Sequence, residues 1–250
     1  MTPSPQLSDA QRLVVWHEIE CGGYDTDLPL WRELARSGGG PVLDVGAGTG
    51  RVSLDLAARG VAVTALDLHE ELLAALRERA QRRDLQIPTV AVDARTVDLV
   101  NTSFATIIVP MQTLQLFGGA EGRAQFLRAA RAHLRPGGIL AVALADAVEA
   151  FDEEHTEPPL PDMRELDGVV YSSRPVAVRE HADTVSIERI RETVDRTGRR
   201  TVEGDVIHLD RVTAAQLAHE GAGAGFTPLA PRVIPATDEY VGSAVVVLRA

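Results

Sequence analysis

The sequence predicts a doubly wound α/β protein whose mostly parallel seven-stranded sheet carries an inserted antiparallel segment. Three observations lead there. From Pro41 onward, short apolar runs alternate with helical stretches, the pattern of βαβ units with strands buried on both faces. A glycine-rich turn, Gly46-Ala47-Gly48-Thr49-Gly50, directly follows the first of those runs. After Ala145 the texture becomes acidic and proline-rich, and then strand-like alternation takes over.

Taken in order, Ser8 to Gln11 has the S-x-x-Q capping-box pattern and opens a first helix through Val14, Val15 and Ile19, which Cys21-Gly22-Gly23 ends. A second helix over Leu28 to Arg36 has Pro29 in its first turn and stops at Gly38-Gly39-Gly40. Strands are expected at Pro41–Val45, Val61–Asp67, Thr89–Asp93, Ala105–Val109 and Ile139–Ala145, with helices near Arg51–Arg59, Glu70–Arg83 and Glu121–Leu134 between them. Asp152 to Pro161 reads as an exposed loop, and Val169 to Leu209 as antiparallel strands. Thr213 to Gln216 is another capping box, opening a helix that Gly221, Gly223 and Gly225 end; strands near Thr227–Ile234 and Gly242–Leu248 close the sheet. The expected organisation is a helical cap (1–40), a ligand-binding α/β core (41–145), an inserted lid or substrate subdomain (146–212) and a segment completing the core (213–250).

Composition narrows the chemistry. All 25 Lys+Arg residues are arginine, which excludes a P-loop lysine, a pyridoxal phosphate lysine and a Schiff-base lysine. A net charge of -11 opposes non-specific binding to nucleic acid or anionic membrane, and the run Arg77, Arg79, Arg82, Arg83 fits the solvated end of an amphipathic helix. The apolar stretch Leu13 to Ile19 is too short and too polar for a signal segment or a membrane span, and the single Cys21 forms no intrachain disulfide. A cytoplasmic protein acting on small molecules is expected, without nucleic-acid or membrane partners.

The chemistry-bearing segment is Val42-Leu43-Asp44-Val45-Gly46-Ala47-Gly48-Thr49-Gly50. A buried strand runs there into a turn whose glycines allow sharp bending and close approach, and a helix start then presents free N–H groups. In an open parallel sheet that turn lies at the carboxyl edge, where ligands bind. Asp67 ends the second strand, placed to accept from two vicinal ribose hydroxyls; its competing role is a helix N-cap. Asp93 ends the third strand, where a carboxylate accepts from an exocyclic amine or simply stabilises a turn.

These residues resemble a class I S-adenosylmethionine-dependent methyltransferase of the small-molecule type. VLDVGAGTG is similar to that family's first motif, ALDL with Asp67 to its second-strand acid, and AVDAR with Asp93 and Ala94 to its adenine-side position. Phe104 to Phe117 resembles the fourth strand and its loop, His133 to Leu144 the turn and fifth strand, and Ala224-Gly225-Phe226 the end of a late helix. The resemblance implies a Rossmann-like methyltransferase fold and S-adenosyl-L-methionine as cofactor. It places the methionine part at Asp44, Gly46, Ala47 and Gly48, the ribose at Asp67, the adenine at Leu68, Asp93 and Ala94, and the methyl-bearing end near Val109 and Pro110, with Gly50 also at the cofactor. A dinucleotide site of G-x-G-x-x-G spacing would need glycine at Arg51, and Asp44 suits an ammonium better than a pyrophosphate.

Methyl transfer is an in-line displacement that needs alignment and water exclusion rather than a nucleophilic side chain. Should the acceptor need deprotonation, His155, His181 and Tyr24 are the candidate catalytic groups. His17, Tyr24 and Trp31 are candidates for closing the pocket, and Gln112 and Gln115, with Trp31, for contacting substrate. No metal is expected: the seven histidines lack paired spacing, and Pro110-Met111 stands where a metal-assisted enzyme would carry acids. The competing reading keeps the fold but has the protein bind S-adenosylmethionine for another reaction or for binding alone.

Overall fold

The computed structural model describes residues 7–145, 150–154, 159–237 and 240–250. In chain order its elements are α1 (Asp9–Cys21), α2 (Leu28–Gly38), β1 (Val42–Val45), α3 (Arg51–Ala57), β2 (Val63–Asp67), α4 (Glu70–Gln81), β3 (Thr89–Ala91), β4 (Phe104–Val109), a 3-10 turn (Thr113–Leu116), α5 (Gly119–His133), β5 (Leu134–Leu144), β6 (Phe151–Asp152), β7 (Asp162–Leu166), β8 (Val169–Glu180), β9 (Thr184–Val194), β10 (Arg200–Asp210), α6 (Ala214–Gly223), β11 (Thr227–Pro228), β12 (Arg232–Ile234) and β13 (Ser243–Arg249). Chain contacts divide it into two compact units, 24–147 with 210–250, and 1–23 with 148–209. The helical cap expected over 1–40 is therefore shared out, α1 going with the insert and α2 with the core.

In the larger unit the strand order is β11-β13-β5-β4-β1-β2-β3. β1 to β5 pair in parallel and β13 runs antiparallel to β5. The stretch read as one strand over Thr227–Ile234 is two short strands, both antiparallel to β13. Pro231 interrupts them because it has no N–H to give the ladder. Alternation sends neighbouring residues to opposite faces: Ile107, Leu140, Val142 and Val246 join one core with Phe126, Leu127 and Leu217. Ile108, Ala141, Ala143 and Val245 join another with Trp31, Leu34, Val52 and Leu56. Helices thus cover both faces, which is why the central strands read as unbroken apolar runs. The order reverses between β1 and β4, so the carboxyl ends of β1, β2 and β4 open a crevice at the switch point.

The smaller unit is an antiparallel sheet of order β10-β9-β8-β6 with β7 also on β8. α1, opened by the expected Ser8–Gln11 capping box, packs on it through Trp16, whose ring meets Tyr171 edge-on at 5.7 Å. Beside that contact Glu20 accepts from Ser173 Oγ at 2.7 Å and from Arg191 Nε and Nη2 at 2.7 and 2.9 Å. Arg191 also reaches Asp205 at 2.9 Å. Burial pushes the Glu20 carboxyl up, but Arg191, Arg189 and Ser173 together hold it below its ordinary range. Among the described residues no helix is long and apolar enough to cross a membrane.

Candidate active site at the carboxyl edge

The turn between β1 and α3 is folded onto the tip of β2. Gly46 N and Ala47 N donate to Leu66 O at 2.8 and 3.0 Å, Gly50 N to Ala47 O at 2.9 Å, and Gly48 N to Asp67 Oδ2 at 2.8 Å. Gly46 and Gly50 have φ of +71° and +93°, where a side chain is strained. A Cβ on Gly46 would lie 2.4 Å from Thr113 Cγ2, and one on Gly50 2.6 Å from Leu76 Cγ. At these two positions the missing side chains make room for protein, with the 3-10 turn and α4 packed directly against the glycines.

Three carboxylates expected at the site are placed very differently. Asp67 is buried, and its second oxygen accepts from His69 N at 2.9 Å. It is not the N-cap of α4, a position His69 occupies. Each Asp67 oxygen keeps a further lone pair for a ligand hydroxyl. Beside it Leu68 is 63% exposed, an apolar platform at a strand tip. Asp93 is engaged by Arg95, through its backbone N at 2.9 Å and its guanidinium at 2.6 Å, which holds the carboxyl below its ordinary range. Arg95 also donates to Phe117 O at 3.1 Å, so this pair ties the tip of β3 to the loop after β4. An adenine amine would share Asp93 with Arg95. Ala94 and Val109 have buried side chains and Pro110 is buried, so only their backbone and surfaces are available to a ligand.

Asp44 is 1% exposed; Oδ2 accepts from Ser53 Oγ at 2.6 Å, while Oδ1 has no hydrogen-bond partner among the described residues. Burial pushes its carboxyl up to about 6, although Ser53 and Arg51 pull the other way. A buried oxygen left without a donor is costly unless something supplies one. An ammonium is the complementary group. That oxygen, the Asp67 lone pairs and the exposed Leu68 fit an amino-acid-bearing nucleoside.

The loop after β4 departs from its sequence reading. Met111 adopts φ +55°, strain of the kind found at functional sites, and Thr113 Oγ1 donates to Pro110 O at 3.0 Å. Gln112 precedes the 3-10 turn and is half-buried. Gln115, expected to orient substrate, is 4% exposed and spends its carboxamide on backbone: Nε2 donates to Ala145 O at 3.3 Å and Asp210 O at 3.1 Å, and Oε1 accepts from Ala145 N at 2.9 Å. It pins the end of β5 to the point where the chain re-enters the core. Gln115→Leu is expected to destabilise the protein by about 3 kcal/mol, read by urea unfolding, because several buried backbone groups lose their partner. The folded variant should bind cofactor within twofold of the parent; a large binding defect would return Gln115 to the ligand site.

Trp31, also expected at the substrate, is fully buried and donates from Nε1 to Asp27 Oδ2 at 2.7 Å, so it is a core residue. Asp27 in turn receives Arg51 Nη1 at 2.5 Å and Nη2 at 2.8 Å. Sequence reasoning missed this pair; its one signal was an acid just before the Leu28-Pro29 helix start. Tyr24 is buried beside Arg51 and Tyr240 in this same unit. His181 belongs to the smaller unit, its Nε2 3.0 Å from Ser186 Oγ, as does His17 on α1. His155 lies outside the described residues. Among the described residues no three His, Cys, Asp or Glu gather as metal ligands.

Residues 42–138 match the family model of a methyltransferase domain, a span from the start of β1 to the turn within β5. The matched span is that of a methyltransferase domain, and the chain as a whole is similar to S-adenosylmethionine-dependent methyltransferases. A demethylmenaquinone methyltransferase of Beutenbergia cavernae is 26% identical over 231 residues, 86% of this chain and 91% of that relative. A phosphatidylethanolamine N-methyltransferase of Cereibacter sphaeroides is 41% identical over 73 residues, 28% of this chain and 35% of that relative, so only about a third of its length is matched. The same fold occurs in CalS10 of Micromonospora echinaspora, an amino pentose methyltransferase with S-adenosylmethionine bound, at TM-score 0.71 and 20% identity over all of both chains.

Proposed function

We propose that this methyltransferase moves the methyl group of S-adenosylmethionine to an oxygen, nitrogen or carbon nucleophile of a small molecule. The orphaned Asp44 oxygen beside the glycine turn carries the reading, since it asks for a buried cationic donor where the family binds its cofactor. The acidic chain, with its charge of -11, and the similarity to enzymes named for a menaquinone precursor and an amino pentose support a small acceptor. When bound, S-adenosylmethionine supplies a methyl group activated on sulfonium sulfur. The protein's part is to hold and to exclude water. Asp44 takes the ammonium, Asp67 the ribose hydroxyls, Leu68 and Ala94 flank the base with Asp93 at its amine, and the Val109–Pro110 backbone borders the reacting end, with Gln112 nearest to acceptor.

The Asp44 carboxyl makes the reading testable by pH. Its folded-state value near 6 lies above the ordinary 3.8, so the folded protein holds that proton to higher pH than the unfolded chain does. The stability this contributes is present below about pH 4 and is lost as pH rises through 6. Binding of an ammonium needs the ionised form and reverses the sign: calorimetric Kd for S-adenosylhomocysteine should tighten about fivefold from pH 5 to 6 and about twofold more by pH 7, where it levels off. Asp44→Asn should bind weakly without that slope. No binding at any pH would remove the reading, and trideuteromethyl cofactor whose label never reaches a product would leave only a binding protein.

A further inference from the structure

The Tyr24 hydroxyl is a second orphan at the same edge. Tyr24 is 6% exposed, and its hydroxyl oxygen is buried with no hydrogen-bond partner among the described residues. The side chain is nevertheless held firmly. The Arg51 guanidinium lies 5.1 Å from the ring centroid and donates to Tyr24 O at 2.8 Å, and the Tyr240 ring centroid lies 4.9 Å away. Arg51 is itself fixed by both oxygens of Asp27. Met111, from the strained loop after β4, belongs to the same apolar cluster. Arg51 is the first residue of α3, and Tyr240 precedes β13 at the end paired with Leu144, so all of these neighbours come from the carboxyl edge. Burial, with Asp27 adding to it, pushes the phenol up to about 12, which keeps it protonated and able to donate.

The amino-acid part of the cofactor brings a carboxylate as well as an ammonium, and the turn has few donors left for it. Gly46, Ala47, Gly48 and Gly50 N–H groups are all committed within the protein. Both ends of the Arg51 fork serve Asp27. Resting on the cofactor reading above, we propose that Tyr24 donates from its hydroxyl to the methionine carboxylate, with Arg51 as the positioning residue that holds its ring in place.

Two measurements of opposite sign test this on the full chain. Tyr24→Phe removes an unsatisfied buried hydroxyl, so the ligand-free protein should melt at the same temperature or higher, while calorimetric Kd for S-adenosylhomocysteine should weaken about five- to tenfold. With decarboxylated S-adenosylhomocysteine the parent and Tyr24→Phe should bind equally, because the partner atom is gone. Arg51→Met should lose the same preference for the carboxylated ligand. The proposal is overturned if Tyr24→Phe binds S-adenosylhomocysteine like the parent, or if it weakens both ligands alike. A parent that binds neither ligand would instead remove the cofactor reading.

Discussion

Asp67→Ala is expected to weaken S-adenosylhomocysteine binding by about two orders of magnitude. The Asp67 carboxylate serves the turn and the ligand at once. Its oxygens accept from Gly48 N and His69 N, and the remaining lone pairs are the acceptors proposed for two ribose hydroxyls. Charge-assisted bonds contribute about 1.5 kcal/mol each at the lower end, so two give about 3 kcal/mol, or roughly a hundredfold in Kd. The alanine variant also leaves Gly48 N without its acceptor and should lose about 1–2 kcal/mol of stability in urea unfolding. Asp67→Asn separates the two effects. Its amide oxygen can still cap Gly48 N, so it should recover most of the stability and little of the affinity. An Asp67→Ala protein that folds and binds within threefold of the parent would take the ribose away from β2.

What was legible in the sequence follows from which physics is local. β1 and β4 are buried along their whole length, so a run of apolar residues announces them with no knowledge of their partners. The capping boxes at Ser8 and Thr213 are complete within four residues and form as read. The glycine turn is legible too, but the reason for its glycines is not. Gly46 and Gly50 answer to Thr113 and Leu76, residues 67 and 26 positions away in the chain, and only packing brings them together. Gln115 and Trp31, expected at the substrate, are buried with internal partners for the same reason. A carboxamide after a strand tip looks available until Ala145 and Asp210 arrive from distant segments to occupy it.

The insert shows a different limit. Alternation over Thr184 to Ile190 correctly gives a strand, yet an apolar-in, polar-out reading does not describe it. Ser186, on the polar side, is 3% exposed, whereas Arg189 and Arg191 share a face with Val185 and Ile187 and meet Glu20 of α1. A face that is basic yet covered is legible only once its acidic partner is known, and that partner lies more than 160 residues away. Grouping α1 with α2 by proximity in sequence fails on the same account, since the charge of Glu20 is balanced from β9.

Asp27→Ala should produce the largest loss of stability, about 3–5 kcal/mol by urea unfolding. The Asp27 side chain is 1% exposed and that of Arg51 12%, so the pair sits where water cannot replace a lost partner. Removing the acid strips the guanidinium of its carboxylate and leaves the buried Trp31 indole N–H without an acceptor. Asp27→Ala/Arg51→Met deletes both charges and should regain at least 2 kcal/mol over the single variant, a coupling that a double-mutant cycle reads directly. Because Arg51 also holds Tyr24, the regained stability should come without regained affinity for the carboxylated ligand. An Asp27→Ala protein destabilised by less than 1 kcal/mol would show that this pair does not hold residues 24–31 to the glycine turn, and the basis for placing Tyr24 at the cofactor would go with it.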